Sequence, residues 1–587
     1  MNSVVKKSIA FIGKANYADA VYLLKKTLRS NPKDVQALNI LGQVQIKLAE
    51  YGEAIKNLEK SISINSFDHE ILARLAYAYE KSGSYQEAIG YYRKSLAIKP
   101  DQGHIYDCMG RALAKDEHNY EAILYFLKAL EFFPTDRDIH KNIGYVAKDT
   151  GLYELCLKHY AIARDLDPSD EQSLSCLIFN SHKNPQASFA DLQELAVAYS
   201  EQVLPQAERS YKNEVGVRLD QNKAKLSLGF VSADLRGHPV SYYLFKVLEK
   251  MNKDEFEIYL YCNNQFNDDL TQSFRDISVD FTCVTKMGDA ELAEKIYQDQ
   301  VDVLFDLSGF TKGQRLAVFK YQAAPVQVSH IGYFGTLGMK EMDFVITDSH
   351  LVKPEEEQYF TEQVYKMDPS LLHCASLDVP EPNKQAPCNV NGHISFGSMN
   401  SPHKISQELI GVWSQILKAN PSSKLIIDNQ FLETDSNQEF VRQSFAKHDI
   451  GLDRVELRSS TQRNEFLQTY SDIDVALDTF PYGGGSSTVE ALMCGVPVVT
   501  VDGDGWMARQ SKSVLSNAGH EELVAQDIDD YIKIASDLAA DMDKIQNYRT
   551  SLKQDMEASE MRLEAYVPNF EKAIWDMWSI KCQEQGQ

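Results

Sequence analysis

The stretch DTFPYGGGSSTVEAL, Asp478 to Leu492, sets three glycines, Gly483 to Gly485, and three hydroxyl residues, Ser486 to Thr488, between the apolar run DIDVALDTF and the helical pattern STVEALMCG. A glycine turn that opens a helix leaves the first backbone N–H groups without intrahelical acceptors, at the positive end of the helix dipole. That combination binds anions, often phosphates. The same residues also suit a tight strand-to-helix turn with a hydroxyl cap, and the segment alone leaves both readings open. A second feature bears on the choice. FGSMNSPHKIS places Lys404 just after an apolar run and near the start of the helical stretch SQELIGVWSQIL. An ammonium there can serve a diphosphate as a point charge, or can sit solvated at a helix start. Taken together, Lys404 and the turn at 483–488 favour the phosphate reading.

Elements must bring these residues to one place. From Lys225 onward KLSLGFVSA, FEIYLYC, VDVLFDLSG, VQVSHIGY and FVITD are β-branched apolar runs separated by helical or polar stretches. The alternation predicts a parallel sheet covered by helices. It recurs after a proline-rich segment, DVPEPNKQAPCNVNG (Asp378 to Gly392), with HISFGSM, KLIIDN, RVELRS, DVALDTF and PVVTVD. Two doubly wound, Rossmann-like domains are therefore expected, at 225–385 and 386–587, the second with a closing C-terminal helix. Their strand C-terminal ends should meet at one cleft, which the glycine turn faces.

The first part of the chain follows another rule. Pro32, Pro100, Pro134 and Pro168 share a register of 34 residues, and so do Tyr17, Tyr51, Tyr85, Asn119 and Tyr153. Ala20, Ala54, Ala88, Ala122 and Cys156 form a small-residue column, as do Gly42, Ala76, Gly110 and Gly144. This period, with small residues where helices cross and a closing proline, resembles the tetratricopeptide repeat. About five units over 1–168 predict an α-solenoid whose concave groove holds a peptide. Residues 169–224 carry no repeat register and read as a helical connector.

Composition narrows the function. The 587 residues suggest three or four structural units. With Lys+Arg 60 against Asp+Glu 84 and a net charge of -24, a nonspecific binder of nucleic acid or anionic membrane is not expected, so any phosphate site is local. The opening MNSVVKKSIAFIGK has too short an apolar core for a secretory signal, and no run approaches a membrane span; a cytoplasmic protein is expected. Nine cysteines without a C-x-x-C pair read as reduced thiols rather than disulfides or a zinc site.

The segments LSLGFVSADLRGHPVSYYL, VDVLFDLSGFTKGQR, APVQVSHIGYFGTLGMKEMDFVITD, FGSMNSPHKIS and DTFPYGGGSSTVEALMCGVPVVT resemble, in order, the catalytic region of the O-linked N-acetylglucosamine transferase and SPINDLY-type family, in a bacterial-type form. That resemblance implies tetratricopeptide repeats before a two-domain GT-B unit, and an inverting, metal-independent transfer of a sugar from a nucleotide diphosphate to a protein hydroxyl. GlcNAc from UDP-GlcNAc to Ser or Thr is the first expectation. GDP-fucose transfer, UDP-glucose transfer to Asn, and a repeat scaffold with a degenerate transferase domain are the alternatives. By resemblance, His238 is the active-site histidine that orients the acceptor hydroxyl or takes its proton. Lys404 grips the leaving diphosphate; Ser486 and Ser487, with Gly484 and Gly485 before them, bind the phosphates; Glu490 holds the ribose; and Thr336 belongs to the loop lining the sugar pocket.

The sequence also departs from that family. Phe466 stands where many members stack a histidine on the base, Arg463 where a lysine is common, and Gly485 where a histidine or threonine precedes the hydroxyl pair. An aromatic ring can still stack there, without the polar edge. Asp299 aligns with an acidic position sometimes assigned to proton transfer, and reads instead as a solvated helix carboxylate. VDGDG, Val501 to Gly505, contains a D-x-D pattern, but the resemblance makes it a strand-end turn, so no metal is expected. In the repeats, animal members set asparagines two positions before the small crossing residue. Here those positions hold Ile40, Arg74, Cys108 and Asn142, which implies a groove that selects a particular protein acceptor by side-chain chemistry.

Overall fold

The computed structural model describes residues 3–374 and 379–585. Asp378, at the start of the proline-rich segment, lies outside the described residues. The chain divides into two compact units, one running to Thr150 and including Thr434–Phe440, the other comprising Gly151–Glu433 and Val441 onward.

The first unit is an array of helices: α1 (Ser3–Gly13), α2 (Tyr17–Ser30), α3 (Val35–Lys47), α4 (Tyr51–Ile64), α5 (His69–Ser82), α6 (Tyr85–Ile98), α7 (Gly103–Lys115), α8 (Asn119–Phe132) and α9 (Arg137–Lys148). The tyrosine column marks the first residue of each even helix. The small columns sit where neighbouring helices touch. Ala20, Ala54, Ala88 and Ala122 have no exposed surface, and a side chain at Gly42 or Gly110 would meet Leu58 or Phe126 at 2.6 Å. The structure adds a column that the sequence reading passed over. Asp34, Asp68 and Asp136 cap α3, α5 and α9 through backbone N–H groups of the first turn, satisfying donors that a helix start leaves open. The helix with the last repeat register, α10 (Tyr153–Leu166), belongs to the second unit and packs on Glu171–Ser181.

The second unit holds two all-parallel sheets. The first contains β1 (Leu226–Ser232), β2 (Phe256–Cys262), β3 (Asp280–Cys283), β4 (Val303–Asp306), β5 (Val326–Ser329), β6 (Phe344–Thr347) and β7 (Gln363–Lys366), in the order β3-β2-β1-β4-β5-β6-β7. The second contains β8 (Ser395–Ser398), β9 (Lys424–Asp428), β10 (Val455–Arg458), β11 (Val475–Leu477), β12 (Val498–Val501) and β13 (Val524–Ala525), in the order β10-β9-β8-β11-β12-β13. Each order reverses once, between β1 and β4 and between β8 and β11. Ligands of doubly wound sheets bind at that crevice, beyond the strand C-terminal ends. His238 follows β1, Lys404 follows β8 and the glycine turn follows β11, so the three candidate segments start from the two switch points.

The C-terminal helix, Leu563–Gln585, returns to the first sheet. Phe570 stacks on His330 at 5.2 Å, Trp575 donates to Glu255 at 2.9 Å, and Lys581 pairs with Asp343 at 3.0 Å. A bidentate ion pair, Arg509 with Glu356 at 2.5–2.9 Å, also ties the second sheet's connections to the first. Both partners are buried, so the arginine fork and carboxylate satisfy each other where water cannot.

Candidate functional site

The glycine turn is held from below. Asp478, at the end of β11 and 2% exposed, accepts from the Gly484 N–H at 2.8 Å and the Asn400 amide at 3.3 Å on one oxygen, and from Thr500 at 2.7 Å on the other. Ser511 donates to the Gly484 carbonyl at 2.7 Å, and the Gly483 N–H reaches the Met507 carbonyl at 3.2 Å. These bonds explain the three glycines. None has a positive φ. A side chain at Gly483 would meet the Ala508 carbonyl at 2.8 Å, at Gly484 the Ser487 hydroxyl at 2.5 Å, and at Gly485 the Gln510 amide at 2.5 Å. Close approach, not left-handed backbone, demands glycine here.

The turn leads into the helix Ser486–Met493, with Gly485 at its N-cap and no side chain bonded to the cap. The backbone N–H groups of Gly485, Ser486 and Ser487 find no acceptor among the described residues. Ser487 donates to the Asn400 side chain at 3.2 Å, and both serines are half-buried. Lys404 completes the group. Its Nζ donates to the Gly483 carbonyl at 2.7 Å and lies 4.0 Å from the centre of the Tyr482 ring. Burial disfavours the ammonium and brings its pKa down to about 8, against a pull upward from Asp478. Three open N–H groups, two hydroxyls and a lysine next to one helix N-terminus form an arrangement suited to an anion.

One turn further along the same helix, Glu490 is 5% exposed and accepts from Arg463 at 2.9 Å. Burial raises the Glu490 carboxyl above its ordinary pKa, while Arg463 opposes that shift. Arg463 lies 4.8 Å from the centre of the Tyr242 ring, so a residue just after His238 reaches the second sheet's side. Phe466 is on the same short helix as Arg463, half-buried.

His238 caps the helix Pro239–Lys250. Its Nδ1 accepts from the Val240 N–H at 3.4 Å and lies 3.8 Å from Asp234. With Nδ1 accepting, the proton of the neutral ring sits on Nε2, which is then a donor. Burial lowers the His238 pKa; Asp234 opposes and Arg236 reinforces the shift. The ring is neutral at physiological pH.

Two sequence expectations change. Thr336 is 1% exposed, and its hydroxyl donates to Glu362 at 2.7 Å while accepting from the Gly338 and Thr361 N–H groups. That hydroxyl is spent on fixing its loop, so it has no hydrogen bond left to offer a ligand. Asp299 is not a solvated carboxylate: it accepts from Tyr261 at 2.7 Å and pairs with Lys295 at 3.0 Å. In VDGDG, Asp502 is held by Lys512 at 2.6 Å. The sequence reading missed Asp478, Asn400 and Ser511, whose signal is only a polar residue at a strand end or in a helix. It also missed Tyr242 and Tyr243, neighbours in the quoted HPVSYY.

Comparison with known proteins adds a family. The profile of Glycosyl transferase family 41 matches residues 175–373 and 385–569, and tetratricopeptide repeat profiles match 5–68 and 69–102. A probable UDP-N-acetylglucosamine–peptide N-acetylglucosaminyltransferase SPINDLY of Petunia hybrida is 33% identical over 368 residues, 61% of this chain and 39% of the relative. The probable SEC enzyme of Arabidopsis thaliana is 26% identical over 382 residues, 62% of this chain and 38% of the relative. The chain thus spans about two fifths of the length of the curated relatives it matches. A solved mutant of the Thermobaculum terrenum O-GlcNAc transferase superposes with a TM-score of 0.74 at 28% identity, covering 88% of this chain and 98% of that one. Repeats followed by two switch-point sheets thus make the GT-B architecture of that transferase, and with the profile matched over more than half of its residues the chain belongs to glycosyl transferase family 41.

Proposed function

We propose that this chain is a protein glycosyltransferase that moves GlcNAc from UDP-GlcNAc to Ser or Thr of a protein acceptor. The observation that carries the reading is the anion site: open N–H groups of Gly485, Ser486 and Ser487 with the Lys404 ammonium on the Gly483 carbonyl. The names of the relatives supply the sugar, the nucleotide and the peptide acceptor. As the glycosidic bond breaks, negative charge grows on the departing diphosphate. Donors fixed before the reaction stabilise that charge without reorganising, and a lysine can do there what a metal does elsewhere. Lys404 is the catalytic cation in this scheme, Arg463 and Phe466 lie towards the nucleoside, and Glu490 reaches the ribose with its free oxygen. His238 presents its Nε2–H to the acceptor oxygen and orients it; in a single inverting displacement that oxygen bonds the sugar carbon as the carbon–diphosphate bond breaks, and the hydroxyl proton passes to an oxygen of the departing diphosphate. Residues 1–168 hold the acceptor, 169–224 connect, 225–385 face the acceptor and 386–587 bind the donor. No metal takes part.

The full chain against UDP-GlcNAc, UDP-glucose and GDP-fucose, read by thermal shift and donor hydrolysis with EDTA present, tests this. Stabilisation by UDP-GlcNAc and undiminished turnover in EDTA are expected. A response to GDP-fucose or UDP-glucose alone replaces the donor, and no response to any nucleotide sugar leaves a repeat scaffold. Loss of turnover in EDTA that Mn²⁺ restores overturns the metal-independent scheme.

A further inference from the structure

The helix capped by His238 carries, on its next turn, a tyrosine that no step above uses. Tyr243 is 2% exposed, and its ring meets His373 edge-on at 5.2 Å, while its carbonyl accepts from the His373 ring at 2.9 Å. The ring is therefore fixed from behind. Its phenol oxygen is buried and makes no hydrogen bond of good geometry among the described residues. An unmade hydrogen bond on a buried hydroxyl is costly and calls for an explanation. The adjacent Tyr242 carries Arg463 at 4.8 Å from its ring centre, and Arg463 pairs with Glu490 at 2.9 Å, which brings the helix of Tyr243 against the Ser486–Met493 helix. Glu490, Ser486, Arg463 and Cys374 are the groups that act on the phenol. Glu490 holds Arg463 on one oxygen and keeps the other for the ribose in the scheme above, which leaves the Ser486 hydroxyl as the acceptor for the phenol.

We propose that Tyr243 is a positioning residue for the anion site: its phenol donates to Ser486 Oγ and thereby turns the serine's own proton towards a bound diphosphate. A serine hydroxyl has one proton and two lone pairs. Left alone, Ser486 can spend its proton on any nearby acceptor. With a fixed donor behind it, the remaining direction of its proton is outward, beside the open N–H groups of Gly485 and Ser487. The residue belongs to the first sheet's side and the serine to the second, so the bond also makes the anion site sense whether the two sides are together. Tyr242 on Arg463 runs alongside as a parallel link.

The inference rests on the diphosphate reading, and the test separates the two. Calorimetry on the full chain measures UDP and GDP against the unaltered protein, Tyr243→Phe, Ser486→Ala and the double variant. Tyr243→Phe keeps the ring against His373, and its melting temperature should stay within a few degrees of the parent. UDP affinity should fall about fivefold in Tyr243→Phe, the loss of one neutral hydrogen bond, and by a similar factor in Ser486→Ala. The double variant should lose no more than Ser486→Ala alone, because both changes remove one bonded pair. Parental affinity in Tyr243→Phe, or losses that multiply, overturns the proposal and leaves the anion site standing. Parental affinity in Ser486→Ala, or no binding of either nucleotide to the unaltered protein, overturns the anion-site reading and this one with it.

Discussion

Around the glycine turn, Asp478 has three side-chain bonds and accepts Tyr531 at its carbonyl, and Gly483 and Gly484 are fixed at both N–H and C=O. Around His238 the ring has one bond of 3.4 Å and a carboxylate at 3.8 Å, and a third of its side chain is exposed. One side of the unit is built before any ligand arrives; the other is held at a single point. The contrast is the one that the two tasks proposed above would require. Charge stabilisation needs donors that do not move, whereas a group that meets a protein acceptor has part of its environment supplied by that acceptor.

The largest effect expected from breaking the built side is that of Lys404→Ala. A charge-assisted bond of about 1.5–3 kcal/mol corresponds to roughly ten- to a hundredfold weaker UDP binding, and turnover should fall further because the charge it faces grows in the transition state. Transfer at the parental rate would remove Lys404 from the mechanism. Its pH signature is separable. UDP favours the ammonium, whose pKa in the free protein is about 8, so binding takes up a proton once the pH exceeds that value. Affinity should be flat below pH about 8 and decline by up to about tenfold per pH unit above it. A Kd series from pH 6 to 10 should show this bend in the parent and none in Lys404→Ala.

His238→Ala probes the other side. Loss of an orienting donor should lower turnover by about ten- to a hundredfold and leave UDP affinity unchanged, since the ring makes no bond to the turn. A comparable loss in UDP affinity would mean that the two sides are not separate. Because burial and Arg236 keep the ring neutral, activity should not rise between pH 6.5 and 7.5; a limb titrating there would assign His238 the role of base instead.

Asp478→Asn should act through the turn without touching a ligand. The amide can accept on one side only, so either the Gly484 N–H and Asn400 lose their acceptor or the Thr500 hydroxyl must turn to accept from the new amide. About 1–3 kcal/mol of stability and about tenfold in UDP affinity should go together. A stability loss with parental affinity would show that the turn keeps its shape without this support.

What could be read from sequence follows the same divide between local and tertiary causes. The repeats were legible because a 34-residue period repeats its small and aromatic columns, and ten of the thirteen strands among the described residues because β-branched runs such as VLFD and VVTV are short and apolar. β3 (DFTC), β7 (QVYK) and β13 (VA) escaped because edge strands are short or half-polar. Lys404 and the glycine turn stood out as strand-end features, whereas Asp478 acts across 6 to 78 positions of sequence and Tyr243 meets His373 across 130, and both have ordinary neighbours. Thr336 shows the converse: a hydroxyl in a promising loop, consumed by Glu362 from 26 residues away.

On UDP affinity the effect of removing residues 1–150 of the first unit should be as small as that of His238→Ala. Every residue of the anion site lies after Gly151, and α10 packs with the second unit, so a cut at Thr150 keeps that helix where one at Pro168 would strip it. Deleting 1–150 should therefore leave UDP affinity within about twofold of the parent while abolishing transfer to protein, because an acceptor without its groove is met only by diffusion. The melting temperature of the truncated chain, measured first, establishes that its sheets are intact. Calorimetry with UDP then decides. A large affinity loss in a folded truncation would mean that the repeats complete the donor side, and the prebuilt half of the comparison would have to include them.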